Sequence, residues 1–131
     1  LSINIHLITV SSHRQAWDIN LGLFALAEGK ANTFSDFVAY IYACQEQFYN
    51  ASFMHKTHKD LRYLILQFAE QHAKVDPVKF LNRMDDDDIY GQARMPIRYA
   101  ATRSVWATPT VFINNATDVP VDHNSRSKYS V

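Results

Sequence analysis

Residues Ser104–Asn115 read SVWATPTVFINN, and the fold turns on how this stretch is understood. Val111, Phe112 and Ile113 have the β-branched and aromatic character of a buried strand. Pro109 stands at the head of that run, although proline cannot donate to a β ladder. Its neighbours Ala107, Thr108 and Thr110 are small or hydroxylated. A proline that opens a strand is tolerable when its peptide bond is cis and forms a tight turn. For an X-Pro bond that isomer costs only about 0.5–1 kcal/mol relative to trans.

The chain around this stretch has 131 residues, enough for one domain with a core of its own. Hydrophobic residues make up 47% and charged residues 20%, values of a globular rather than a disordered chain. Lysine plus arginine equals aspartate plus glutamate at 13 each, so the charge balance gives no support for nucleic acid or an anionic membrane as partner. No apolar run approaches the ~20 residues needed to span a bilayer. The opening LSINIHLITV lacks the basic start and small-residue cleavage site of a signal peptide, and no methionine precedes it. The expectation is a processed product or an excerpt of a longer chain.

Upstream, residues 3–10 (INIHLITV) alternate and are rich in isoleucine and valine, which predicts a strand. Ser12 and Gln15 have capping-box spacing, predicting a largely buried helix over 13–28 that stops at Gly29. Thr33 is the expected cap of a second helix, with Phe37, Ile41, Cys44 and Phe48 as its apolar stripe. Thr57 caps a third, carrying Leu61, Leu64, Ile65, Phe68 and His72. Asp76-Pro77 is a start signal for a short helix ending near Met84. A last helical stretch follows the acidic run Asp85–Asp88, with Asp88 as its cap and Pro96 expected to kink or divide it before Arg103. Residues 118–122 (DVPVD) suggest a further short strand. Nothing repeats and no linker divides the chain.

Few residues suggest chemistry. Cys44 is the single cysteine, so no intrachain disulfide is possible, and its place on an apolar stripe favours core packing over reactivity. His55 and His58 have HxxH spacing, but a cap at Thr57 leaves His55 outside the helix and no third ligand is near; a surface pair is the better reading. His72 is expected at the edge of the core. His6 and His13 have no visible partner. Asp85–Asp88 lacks the alternating spacing and glycine of a calcium loop. No serine lies in a nucleophile elbow, and three glycines are too few for a phosphate loop. Asn50-Ala51-Ser52 and Asn115-Ala116-Thr117 both satisfy the N-glycosylation sequon, making Asn50 and Asn115 glycosylation candidates and pointing to the secretory pathway or the extracellular space.

The segment VWATPTVFIN, after a helix ending in Tyr99–Ser104, resembles the cis-proline loop of the thioredoxin superfamily and, more narrowly, of its DsbA-like branch. Ser104, Ala107 and Asn115 stand where that branch often has glycine. His13, Ala16 and Trp17 after a strand, and the run Phe37, Ile41, Gln45, Phe48, Tyr49 and Asn50, resemble the entry to its helical insertion and the insertion itself. The likeness covers about Ile3 to Asp122. It implies an α/β, thioredoxin-like (DsbA-like) domain over 1–131, with its N-terminal βα portion missing. Residues 12–103 would then be mainly the helical insertion, and 104–122 the cis-proline loop and following strands.

By that resemblance Thr108, Pro109 and Ala107 are expected to bind a substrate polypeptide. The Cys-x-x-Cys that would do thiol–disulfide exchange is not in the chain, so no catalytic residue is expected in it, and no metal or cofactor is expected either. The implied function is a DsbA-like oxidoreductase acting on a thiol- or disulfide-containing protein or peptide, inactive without a dithiol upstream of Leu1. The alternative is a redox-inactive module that binds peptide or protein through the loop; a glutathione-using relative is a third reading. A missing segment or a partner chain is expected to cover the open sheet edge.

Overall fold

The computed structural model describes residues 3–9, 13–105, 110–113 and 117–119. Five α-helices carry the described fold: α1 (Ala16–Ala27), α2 (Ala31–Ala43), α3 (His58–His72), α4 (Pro77–Met84) and α5 (Asp87–Thr102). Two 3₁₀ turns, Gln45–Phe48 and Asn50–Phe53, connect α2 to α3.

Helix α1 is the axis. Asp18, Ile19, Asn20, Leu21, Gly22, Leu23, Ala25 and Ala27 are all buried, so the helix is covered nearly all round. That is the position its unbroken apolar composition demands. The helices α2, α3, α4 and α5 each pack against it. Gly22 lets α3 come close: a Cβ built there would lie 2.5 Å from Cγ2 of Ile65. Two left-handed residues in succession, Glu28 (φ 46°) and Gly29 (φ 80°), end α1 and turn the chain into α2. The remaining faces supply Phe37 and Ile41 from α2, Leu61, Ile65, Leu66, Phe68 and Ala69 from α3, Phe80 and Met84 from α4, and Ile89, Ala93 and Ala100 from α5.

Helix starts are held by side chains where the sequence provides them. The Thr57 hydroxyl accepts from the Asp60 N–H at 3.2 Å, and the Asp60 carboxylate accepts from the Thr57 N–H at 2.8 Å, a complete capping box. Asp76 accepts from the Lys79 N–H at 3.1 Å, ahead of Pro77. Two boundaries differ from expectation. Helix α2 begins at Ala31 behind Lys30, with no side-chain cap, so Thr33 lies inside it. Ala31 and Asn32 are exposed, leaving water to satisfy the first N–H groups. Asp86, not Asp88, caps α5, accepting from the Asp88 N–H at 3.1 Å. The predicted Ser12 cap of α1 lies outside the described residues.

Pro96 does not divide α5; the helix runs through from Asp87 to Thr102. The Gln92 carbonyl loses its intrahelical partner, because proline has no N–H. Burial of Ile89 and Ala93 before it and Ala100 after it anchors both halves to the same core.

The expected α/β, thioredoxin-like architecture is not what forms. The regular β structure among the described residues is an antiparallel ribbon of two three-residue strands, β1 (Val111–Ile113) and β2 (Thr117–Val119). Val111 pairs with Val119, Phe112 with Asp118 and Ile113 with Thr117. Residues 3–9 adopt no strand despite their composition. Strand propensity is realised only against a neighbouring strand, and here β1 and β2 satisfy each other. Helices on a helix, rather than helices on a sheet, make this a small all-helical layer architecture with a β ribbon appended. The resemblance to the thioredoxin superfamily and its DsbA-like branch is corrected accordingly: residues 16–102 form the body of the fold, not an insertion into a sheet.

Acidification is expected to weaken this fold through its caps. The Asp60 carboxyl is held below the usual carboxylate range, first by the Thr57 N–H and then by the Thr57 hydroxyl. The Asp86 carboxyl is lowered by the Asp88 N–H and by Arg83. A carboxyl lowered in the folded state binds fewer protons than in the unfolded chain. Its stabilising effect is therefore complete above the unfolded value of about 4 and lost as the pH falls through the lower folded value. Urea midpoints should drop between pH 7 and pH 3, and Asp60→Asn should flatten that acid limb. Thr57→Ala should cost about 1 kcal/mol at neutral pH.

Candidate functional site

The residues expected to bind substrate, Ala107, Thr108 and Pro109, lie outside the described residues, as does Asn115. Asn50 is described and exposed, at the start of the second 3₁₀ turn. Cys44 terminates α2, half-buried and packed against the core, as its apolar stripe predicts. His72 edges the core as expected, its ring 5.3 Å from Phe37 and 5.8 Å from Tyr40.

His55 and His58 are both exposed, as expected, but His58 has a partner. His58 Nε2 lies 2.8 Å from Oδ1 of Asp18, a carboxylate buried in the first turn of α1, while the imidazole itself stays largely exposed. The partners are 40 residues apart, beyond the reach of spacing arguments, but a carboxylate within an apolar helix is a visible signal that some partner must exist. Beside this pair lies an open cleft of about 260 Å³ lined by His58, Lys59, Arg62, Tyr63, Leu81 and Asp85. Its Arg62 and Lys59 are already engaged with other residues of the cleft. Arg62 contacts Asp85 at 3.0 Å and donates to the Leu81 carbonyl at 2.9 Å, and the Lys59 ammonium sits 5.7 Å from the Tyr63 ring centre. Among the described residues no serine, threonine or cysteine lines the cleft to serve as a nucleophile for the imidazole. The Asp18–His58 contact ties α1 to α3.

The acidic run is likewise structural. Arg83 gathers Glu28 at 2.9 Å, Asp86 at 2.7 Å and Asp88 at 2.8 Å, joining the end of α1 to the α4–α5 turn. These carboxylates, Glu28 foremost, raise the already high pKa of the guanidinium further. Among the described residues no group of three or more His, Cys, Asp or Glu could hold a metal ion. No described helix is long and apolar enough to cross a membrane.

A different surface stands out around the C-terminal half of α5. The His6 ring stacks on Tyr99 at 5.0 Å and 29°, so the segment 3–9 meets this helix at His6, and Leu7 packs on the core. The Arg103 guanidinium lies 4.4 Å from the Phe112 ring centre, placing β1 at the end of the same helix. Several apolar side chains of these two segments are nevertheless exposed: Ile3 by 79%, Ile5 by 80%, Val111 by 45% and Ile113 by 56%, whereas Leu7, Ile8 and Phe112 are half-buried. Met95 and Tyr99 of α5 are also exposed. Residues 3–9 make no backbone hydrogen bond to another described residue, and β1 is paired only with β2, so its other edge carries no described strand. The arrangement offers unpaired N–H and C=O groups beside uncovered aliphatic side chains. Both are requirements that an added strand meets.

No family model, curated protein or solved structure matches this chain. The identification with the DsbA-like branch therefore has no support from family comparison either, and thiol–disulfide chemistry loses the fold on which it rested. With Cys44 as the single cysteine, no dithiol is present among the 131 residues.

Proposed function

We propose that this chain is a helical polypeptide-binding module. It accepts an extended, uncharged, apolar segment of a partner protein along residues 3–9 and the open edge of β1. The observation that carries the reading is the coincidence of unpaired backbone at 3–9 with exposed Ile3, Ile5, Val111 and Ile113 on the two segments that lean on α5. Main-chain bonds would give affinity, and the aliphatic side chains would select the partner's apolar positions. Residues 3–9 and 111–113 contain no Lys, Arg, Asp or Glu, and the chain has no net charge. Both features favour an uncharged strand over an acidic or basic ligand.

A fluorescent peptide of alternating valine and threonine, with terminal lysines for solubility, tests this. Saturable binding by anisotropy is expected, and N-methylation at alternate residues of the peptide, which removes its donors, should weaken binding at least about tenfold, or ~1.4 kcal/mol. Equal affinity for the methylated peptide, or no binding of either, contradicts the proposal.

A further inference from the structure

We infer that Tyr99 and Arg103 couple the two halves of the acceptor surface, so that a partner strand held on one half favours engagement of the other. This coupling rests on the polypeptide-binding function and deepens it. Three contacts run in series along the end of α5. The His6 ring stacks on Tyr99 at 5.0 Å, Arg103 Nη1 donates to the Tyr99 hydroxyl at 3.2 Å, and the same guanidinium lies 4.4 Å from the Phe112 ring centre. His6 belongs to segment 3–9 and Phe112 to β1, so two side chains of one helix join both binding segments.

The helix end that carries Arg103 is set by its backbone. The Ser104 N–H donates to the Ala101 carbonyl at 3.1 Å and the Val105 N–H to the Ala100 carbonyl at 2.9 Å, the paired bonds of a Schellman ending. Ser104 takes the left-handed conformation (φ 56°) where glycine is the usual residue. Ala100 is buried, which ties this turn to the core. Arg103 therefore leaves a fixed backbone, and its planar guanidinium meets a hydroxyl and a ring together. Phe112 is half-buried between exposed Val111 and Ile113. Successive strand residues point to opposite faces, so holding Phe112 on Arg103 turns Val111 and Ile113 outward. His6 on Tyr99 likewise anchors the stretch that carries Ile3 and Ile5. Displacing either ring disturbs the Tyr99–Arg103 pair and, through it, the other ring. Such coupling is reciprocal.

Peptide affinity and NMR of the free chain test this together. Tyr99→Phe keeps the ring beside His6 and removes only a hydroxyl; Arg103→Met removes the guanidinium. Each should weaken binding of the valine–threonine peptide at least about threefold, and the double variant should be no weaker than Arg103→Met alone. Without peptide, Arg103→Met should shift the imidazole proton resonances of His6, although Tyr99 stands between them, and Tyr99→Phe should shift those of the Phe112 ring. Parent affinity in both single variants, additive losses in the double variant, or His6 resonances indifferent to Arg103→Met would each overturn the coupling while binding by the parent chain still upholds the acceptor. No binding by the parent chain would overturn the acceptor and the coupling with it.

Discussion

Replacing Phe37 with alanine is expected to remove about 3–5 kcal/mol of stability, a large part of the 5–15 kcal/mol that a domain of this kind possesses. Phe37 is 1% exposed and is the deepest side chain that α2 contributes. Its ring lies against His72 of α3, so truncation opens a cavity between two helices that both pack on α1. The cavity cannot close cheaply, because α1 fixes the spacing of its neighbours. Urea unfolding should show a much lower midpoint. Tyr42→Ala, on the exposed side of the same helix, should change stability by less than about 0.5 kcal/mol. A loss of under about 1 kcal/mol for Phe37→Ala would mean that α2 is not packed as described.

Gly22→Ala should cost about 1–3 kcal/mol, although alanine is the better helix former by roughly 1 kcal/mol. The added Cβ would fall 2.5 Å from Cγ2 of Ile65, a fully buried side chain whose β-branched χ1 has little freedom in a helix. Phe80 Cζ, at 3.7 Å, is an ordinary contact and takes no part in the clash. Ile65→Leu moves the offending methyl away from Cβ at nearly constant volume. In that background Gly22→Ala should recover most of its cost. Thermal or urea unfolding of the two single variants and the double variant gives the coupling. Additive losses would show that the α1–α3 approach is not set by this pair.

Where helix signals are local and chemical, the sequence is close to sufficient. Thr57 with Asp60, and Asp76 with Pro77, mark starts that the structure reproduces, and α4 ends at Met84 as predicted. The apolar composition of α1 likewise announces a central helix. The start of α2 is misplaced because an exposed first turn needs no side-chain cap, so Thr33 carries no obligation to be one. Asp86 displaces Asp88 as the cap because four consecutive aspartates offer the same chemistry at each position, and spacing does not choose among them.

The larger errors are the strand expected over 3–10, of which 3–9 are described, and the thioredoxin-like fold inferred from the proline stretch. β-branched alternation records what a segment would do beside another strand, and says nothing about whether one is present. From SVWATPTVFINN, only Val111–Ile113 can be followed as a strand; its turn with Thr108 and Pro109 lies outside the described residues. Of the candidate surface, Ile3, Ile5, Val111 and Ile113 were visible as strand residues. That they stay uncovered on α5 is knowable only from the packing of His6 on Tyr99 and Phe112 on Arg103.

The central claim is that residues 3–9 and 111–113 form an open acceptor for a partner strand, and amide hydrogen exchange tests it most directly. The free chain should exchange rapidly over 3–9, because those amides make no backbone bond to a described residue, while the α1 core exchanges slowly. Adding the valine–threonine peptide should slow exchange at 3–9 and 111–113 and leave α3 and α4 unchanged. Protection confined to other elements, or none at saturating peptide, would contradict the account.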